Sequence, residues 1–552
     1  VLRVVLRGED DAVLHVAVGR HHDDEDAPLG ALLGVVHLWS LSPPASQPSA
    51  TAGLERALEL GTYSALHLVQ ALAQTGWPAP PRLFLVTAGS QAVAEEEGES
   101  EKDRVSGDGA DVPLAASGAS LWGFGQTVEN EYAELACTRI DLSAQPQEPK
   151  GAEVAALLRE LLGGQGDAQV ALRQDRRYVA RLVRAAEPAE RRTPSVLRAD
   201  GSYLITGGLG GLGLSAAELL TAQGVRHLVL ASRRPPDAAT RRVLDGLQQA
   251  GAAVLTAEVD IASYDEVAAL VGKFGRQWPP LRGILHTAAV VLDGVIAEQT
   301  EELFRQALAA KVHGAWNLHL LTRSQPLDFF VGYSSIASLF GGPGQSSYAA
   351  GNACVDALAH LRRRAGQPAM SINWGGFSER GLAARRKLNE RFTGRGMEPI
   401  SPAEGKKLLW ELLSAPRVQV AVVKLEPAVW VKHYHSRPSA AYLSELLPPS
   451  AALDRAPPGA LRRKLLAAPP AERLALLMDG LREHASLVLR APASRLGPEV
   501  PFTQLGMDSL MAIELRDRLI FDLQITVPLT LLVRESGITE LADYILTQLP
   551  PR

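Results

Sequence analysis

The chain has 552 residues, 46% hydrophobic and 21% charged, with a net charge of −5. These values suit ordinary globular protein, give no basic excess for nucleic acid or an anionic membrane, and leave no apolar run near the ~18 residues of a spanning helix. At roughly 150 residues per domain there is room for about three or four folding units. The start, Val1 to Leu6, has neither an initiator Met nor a basic-then-apolar signal, so the expectation is a piece of a longer cytosolic chain. Cys137 and Cys354 are the only cysteines, too few for a disulfide framework, and read as buried thiols. His21, His22, His433 and His435 lack companion ligands at a recognised metal spacing. No metal site is expected.

Up to about Glu190 strands and helices alternate. Gly34 to Trp39 and Arg82 to Thr87 read as strands, with a helical period from Leu54 to Ala73 between them. No glycine turn follows these strands, so no phosphate cradle is visible. Glu95 to Asp111 is acidic and nearly free of apolar residues, which predicts a solvated loop. A second α/β series runs from about Ser202 to Val431. Its passage Leu220 to Leu230 echoes Leu72 to Val86, hinting at two related halves, the first without cofactor chemistry.

The second series opens with the strand Tyr203 to Thr206, followed by Gly207, Gly208, Leu209, Gly210, Gly211, Leu212 and Gly213 and an Ala/Leu-rich helix. Glycines allow the sharp turn and let backbone amides approach a pyrophosphate, whose charge the helix N-terminus favours. The next strand, His227 to Ala231, ends in Ser232, Arg233 and Arg234. An acidic residue here would suit the ribose hydroxyls of NAD; arginine suits the 2′-phosphate of NADP. NADPH is therefore the expected cofactor, held first by Arg233.

Reducing a ketone needs a hydride donor and a proton donor. Ser335 precedes Tyr348 by thirteen residues, a spacing that resembles the short-chain dehydrogenases. Those enzymes usually place lysine four residues after the tyrosine. Here that position is Asn352, and a lysine occurs upstream at Lys311. Tyrosine, with a free pKa of about 10, is a usable acid, and a nearby cation lowers that value. Tyr348 is the expected general acid, and Ser335 the hydroxyl on the substrate carbonyl and developing oxyanion. Lys311 is expected to tune Tyr348 and hold the nicotinamide ribose. Asn352 is expected to position Lys311 or a water in the proton path.

The exchange of Lys and Asn resembles the ketoreductase domains of modular polyketide synthases, and the likeness extends from the start to about residue 432. Leu121-Trp122-Gly123-Phe124-Gly125 and Arg177 to Leu182 resemble landmarks of that family's noncatalytic first half. Asn373 to Phe377 resembles the entry to its substrate lid, with Gly381 to Ala383 in the lid helix. Asp260 resembles the family residue near adenine. Ala289 stands where the family usually has glycine. Val291-Leu292-Asp293 keeps only the final aspartate of the family's B-type marker; Phe340 stands at the A-type tryptophan position, and Pro343 matches a B-type feature. For these stereocontrol positions the resemblance leans to B-type, a D-configured hydroxyl.

The Pro-rich stretch from Leu447 to Gly459 reads as a linker. Helices are predicted over 471–489, 508–523 and 537–549. Gly506-Met507-Asp508-Ser509-Leu510, with the apolar stripe Leu510, Ile513 and Leu519, resembles an acyl carrier protein whose serine takes 4′-phosphopantetheine. Ser509 would be the attachment residue, and a tethered acyl chain gains effective concentration.

The resemblance thus implies an α/β fold of two Rossmann-like subdomains, structural (1–193) and catalytic (194–440), then a linker (441–465) and a small helical-bundle carrier domain (466–552). The implied activity is NADPH-dependent reduction of a carrier-bound β-ketoacyl thioester in the cytoplasm. Implied partners are that substrate, the ketosynthase and acyltransferase domains of a polyketide synthase, and a phosphopantetheinyl transferase. Two rivals stand: a reductively inactive scaffold module with a functional carrier, and a stand-alone dehydrogenase acting on a diffusible alcohol.

Overall fold

The computed structural model describes residues 2–7, 13–19, 32–41, 50–75, 77, 80–93, 112–144, 151–163, 166–186, 197–379, 393, 396–415, 417–433, 441–447, 459–489, 491–507, 509–525, 527–533 and 537–549. The acidic segment 95–111, the lid positions Gly381 to Ala383, His21, His22, His435, Asp508 and most of the Pro-rich stretch lie outside them.

The first half contains β1 (Leu2–Arg7), β2 (Val13–Gly19), β3 (Leu32–His37), α1 (Ala50–Leu58), α2 (Ser64–Gln74), β4 (Arg82–Ala88), α3 (Val112–Glu131), β5 (Thr138–Leu142), α4 (Gly151–Gly163), β6 (Gln169–Arg173) and β7 (Arg176–Val179). Its seven strands lie in sequence order. β3 to β6 are parallel, flanked by antiparallel pairs. An order that never reverses has no switch point, the place where open α/β sheets form their ligand crevice. This half is α/β with a parallel core, as the Rossmann-like expectation has it, and its strands run without a reversal.

The second half contains β8 (Ser202–Thr206), α5 (Gly211–Ala222), β9 (His227–Ser232), α6 (Ala238–Gln249), β10 (Ala253–Glu258), α7 (Tyr264–Val271), β11 (Leu281–His286), α8 (Glu301–Leu308), α9 (Gly314–Thr322), β12 (Phe329–Ser335), α10 (Ala337–Phe340), α11 (Ser346–Arg364), β13 (Met370–Trp374), β14 (Met397–Glu398), α12 (Pro402–Ser414), β15 (Gln419–Val422), β16 (Lys424–Leu425) and α13 (Pro427–His433). Its main sheet is parallel, in the order β10-β9-β8-β11-β12-β13-β15. The order reverses between β8 and β11, and the glycine turn sits there. All five residues of β8 are buried, as a strand covered on both faces requires.

The two halves do repeat, though not through the passage around 220–230. In each, a helix, a π-helical turn, a second helix, a parallel strand and a long helix come in that order, the short α10 being interposed before the long helix of the second half. The π turns are Glu59–Tyr63 and Ala309–His313. Gly61 is central in the first and Lys311 in the second. A helix-then-strand passage looks alike anywhere in an α/β protein, which explains the misleading echo.

The halves meet through α3 and α11. A Cβ on Gly123 would lie 2.3 Å from the Ala349 carbonyl oxygen and 2.9 Å from the Ala350 Cα. The Trp-Gly-Phe landmark is thus a helix crossing that only a hydrogen side chain permits. Behind it, buried Arg139 on β5 donates to Gly125 O (2.7 Å) and Glu129 (2.8 Å), tying α3 to its own sheet.

The carrier bundle comprises α14 (Ala460–Ala467), α15 (Pro470–Leu489), α16 (Ser509–Leu523), α17 (Leu529–Val533) and α18 (Ile538–Gln548). The predicted stripe faces its core, with Ile513 and Leu519 buried; the Leu510 side chain lies outside the described residues. Packed structure reaches from both sides into the segment read as a linker. Tyr442 and Leu443 pack with Phe340 and Trp430, while Leu465 on α14 belongs to the bundle core. Among the described residues no helix is long and apolar enough to cross a membrane.

Candidate active site

Gly207 has φ +65°, and a Cβ there would lie 2.9 Å from Ala288 backbone atoms; one on Gly213 would lie 2.5 Å from Gly207 O. The turn is therefore built of glycine by necessity. Gly210 caps α5 without a side-chain bond, so the first amides of that helix are open to an anion. Leu209 and Leu212 flank the turn and pack, part-buried, on the second-half core. Arg233 and Arg234 are exposed just beyond β9 and form no ion pair among the described residues, so both are available to a phosphate. The Ser232 hydroxyl accepts from Arg234 N (3.4 Å). Asp260, beyond β10, accepts from Ala262 N (3.0 Å). This cradle fits a dinucleotide. Ala289 is exposed, so its methyl displaces no packed neighbour in the floor.

Sequence reasoning missed His286 as a link between cradle and catalytic residues. Burial pulls its imidazole down to about 3, with Lys311 acting the same way, so the ring is neutral. Its Nε2 lies 3.2 Å from Lys311 O, which can only accept. Nε2 therefore carries the proton and donates, while Nδ1 accepts from the Thr206 hydroxyl at 2.8 Å. Thr206 is thus oriented by the residue at the end of the adjacent strand.

Ser335 ends β12, and Tyr348 sits in the first turn of α11 with Asn352 one turn on. Desolvation raises the Tyr348 pKa, Asp293 adds to the rise, and bonding to Ser335 and Asn352 opposes it. Three residues named from the sequence, Ser335, Asn352 and Asp293, thus bear on the acidity of this phenol. Asn352 donates from Nδ2 to Tyr348 O (2.8 Å), and its buried Oδ1 has no hydrogen-bond partner. That orphan acceptor fits the expected water or ammonium in a proton path.

Lys311 is 4% exposed in a π-helical turn, a geometry often found at functional sites. Its stem reaches α11 because residue 351 is glycine: a Cβ there would meet Lys311 Cγ at 3.4 Å and Leu308 at 3.2 Å. The Nζ donates to Tyr333 O at 2.5 Å. Burial pulls its pKa down to about 8, against a rise from Asp356. The expectation that a cation lowers the Tyr348 pKa differs from this arrangement. Burial dominates the phenol, and the ammonium is spent on a backbone carbonyl of β12.

Behind the site lies a polar network that sequence reasoning did not find. Buried Asp356 on α11 accepts from Ser371 Oγ (2.5 Å), Ser338 Oγ (2.7 Å) and Asn373 Nδ2 (2.8 Å). Asn373 also donates to Ser334 Oγ (3.1 Å), beside Ser335. Asp356→Ala would strand these buried donors, and is expected to cost about 3–5 kcal/mol, read as a lowered midpoint in urea unfolding.

Of the stereocontrol positions, Asp293 is exposed, and its charge adds to the rise in the Tyr348 pKa. Pro343 precedes Gly344, whose φ is +76°. Phe340 turns away: its ring is buried against Trp430 (centroids 5.3 Å) and Tyr442 (6.2 Å). Cys137 and Cys354 are buried, and burial pushes both thiols up to about 12. Among the described residues no group of three or more His, Cys, Asp or Glu is placed to hold a metal.

At the carrier end, Gly506 adopts φ +85° just before the helix that starts at Ser509. The Ser509 side chain lies outside the described residues.

Residues 201–379 match the family profile described as KR domain, and 479–545 that described as phosphopantetheine attachment site. The chain is 32% identical over 500 residues to a phenolphthiocerol/phthiocerol polyketide synthase of Mycobacterium tuberculosis, covering 88% of this chain and 26% of that protein. It is 36% identical over 360 residues to the phthioceranic/hydroxyphthioceranic acid synthase of Mycobacterium bovis, covering 64% and 16%. It therefore spans about a quarter or less of the length of these curated relatives. Among solved structures, an A1-type ketoreductase matches at TM-score 0.65 and 30% identity, over 77% of this chain and 83% of that one. A C2-type ketoreductase from a modular polyketide synthase matches at TM-score 0.62 and 27% identity, over 76% and 85%.

Proposed function

This chain belongs to the ketoreductases of modular polyketide synthases and continues into a phosphopantetheine carrier domain, and we propose that it reduces a carrier-bound β-ketoacyl thioester to the β-hydroxyacyl thioester with NADPH. The observation that supports this reading is that Ser335 ends β12 while Tyr348 and Asn352 lie in the first turns of α11, with Asn352 bonded to Tyr348 O (2.8 Å), in the same sheet whose switch point carries the glycine turn. NADPH, when bound, supplies the hydride. Ser335 donates a hydrogen bond to the ketone oxygen and stabilises the charge that develops there. Tyr348 gives that oxygen its proton. Asn352 restores the proton; Lys311, whose ammonium is held on Tyr333 O before the cofactor enters, turns from that carbonyl to steady the phenolate and hold the nicotinamide ribose when NADPH binds. Thr206, the residues from Gly207 to Gly213, Ser232, Arg233, Arg234 and Asp260 hold the remainder of the cofactor.

The acyl chain rides on 4′-phosphopantetheine at Ser509, installed by a phosphopantetheinyl transferase. Ketosynthase and acyltransferase domains of a cytoplasmic assembly line supply it. The Asp293 charge beside the phenol, with Pro343, supports a B-type, D-configured product. The test has two arms. Coenzyme A and a transferase should add a phosphopantetheine mass to Ser509. A β-ketoacyl pantetheine thioester should drive loss of NADPH absorbance. Mass gain without NADPH oxidation would select the scaffold reading; oxidation of a diffusible alcohol by NADP+, or reduction of a diffusible ketone by NADPH, without mass gain would select a stand-alone dehydrogenase.

Arg233→Ala is expected to lower the preference for NADPH over NADH about tenfold to a hundredfold, as loss of charge-assisted bonds to a phosphate implies. Comparing kcat/KM for the two cofactors checks it.

A further inference from the structure

Four polar side chains of the noncatalytic half reach across to the second half, and each bonds backbone there. Gln70 on α2 donates to Ile296 O (2.8 Å) and Gln299 O (2.7 Å). Gln126 on α3 donates to Leu339 O (2.7 Å), and Asn130 to Phe340 O (2.8 Å). Glu131, the last residue of α3, is fully buried and accepts from two amides, Ile296 N on Oε2 and Gly344 N on Oε1, each at 2.7 Å. The two segments it joins also meet directly, Gly294 N donating to Gly344 O (2.9 Å). One carries Asp293, whose charge reaches Tyr348; the other carries Pro343 and leads into α11. Backbone fit is close here as well: a Cβ on Gly341 would lie 2.4 Å from Asn130 Nδ2.

A buried carboxyl whose two oxygens accept amides from separate loops is a clamp with fixed geometry; desolvation pushes its pKa up to about 7, against those two bonds and the Arg516 charge. Because it holds main chain only, it fixes where the loops lie whatever side chains they carry. We propose that Glu131 is a positioning residue for stereochemistry: from the noncatalytic half it locks the 291–297 and 341–345 segments against each other, and so sets which face of the ketone meets the hydride. This rests on the reductive reading above.

The test uses the full chain with Glu131→Gln, Glu131→Leu and Asn130→Ala, and a racemic α-methyl-β-ketoacyl pantetheine thioester. Glu131→Leu removes both acceptors; Glu131→Gln keeps one oxygen and turns an NH2 toward the other amide. Expected are at least tenfold faster amide exchange in peptides spanning 291–297 and 341–345, and at least a tenfold rise in the minor alcohol diastereomer. The leucine variant should exceed the glutamine variant, with NADPH affinity within twofold of the parent. Unchanged exchange in either Glu131 variant overturns the clamp. Faster exchange with an unchanged diastereomer ratio overturns the stereochemical role. Should Glu131→Leu fail to fold, the glutamine variant and Asn130→Ala read the same two quantities. A parent chain that oxidises no NADPH sinks the reductive reading alone, since amide exchange still reports on the clamp.

Discussion

Tyr348→Phe is expected to lower kcat by about 10²–10⁴-fold, the usual worth of a positioned general acid, while NADPH binds as before. Phenylalanine keeps the ring that packs at the start of α11 and removes only the hydroxyl on which Ser335 and Asn352 act. The stability cost is that of one hydrogen bond, about 0.5–1.5 kcal/mol, too little to unfold the domain. A loss of turnover therefore cannot be laid to misfolding. Single-turnover loss of NADPH absorbance, with fluorescence titration of the cofactor, separates the two effects. Turnover at the parent rate would remove Tyr348 from the chemistry.

Gly123→Val is expected to be the most damaging change far from the cofactor. Its Cβ alone would sit 2.3 Å from the Ala349 carbonyl oxygen, and the atom opposite is backbone, which has no rotamer to escape into. Relief requires moving α3 from α11. Overpacking of this kind costs about 1–3 kcal/mol or more, and the shift falls on the residue next to Tyr348. Both the urea midpoint and kcat should fall, with Gly123→Ala milder than Gly123→Val. A valine variant with parental midpoint and parental kcat would show that the crossing is not tight.

The glycine turn, and the Ser335, Tyr348 and Asn352 grouping proposed for the chemistry, could be read from the sequence because both are written in short local spacings. A glycine run between a strand and a helix, and a serine and tyrosine thirteen residues apart, each carry their own geometry. Lys311 was legible only through resemblance, since its placement depends on a π turn and on Gly351 giving its stem room. What stayed hidden depends on contacts between distant segments. Asp356 on α11 gathers Ser338 from α10 and Ser371 and Asn373 from β13, and no periodicity marks it. Glu131 reads as one more polar residue at a helix end. The first half's strand order was also invisible, since alternating strands and helices do not say whether the winding reverses. The three long carrier helices were found within one or two residues, their stripes being local, but the five-residue α17 was not predicted and α14 was hidden in a segment whose prolines suggested an extended chain.

The α3–α11 crossing bears on how such assembly lines can be recombined. Each half presents a long helix whose fit is cut to the other's main chain, with Gly123 as the notch. A chimera that splices a foreign catalytic half behind this first half would join two surfaces never matched to one another. Graft boundaries belong outside the pair, before β1 and in the Pro-rich stretch ahead of α14, so that both halves travel as one cassette.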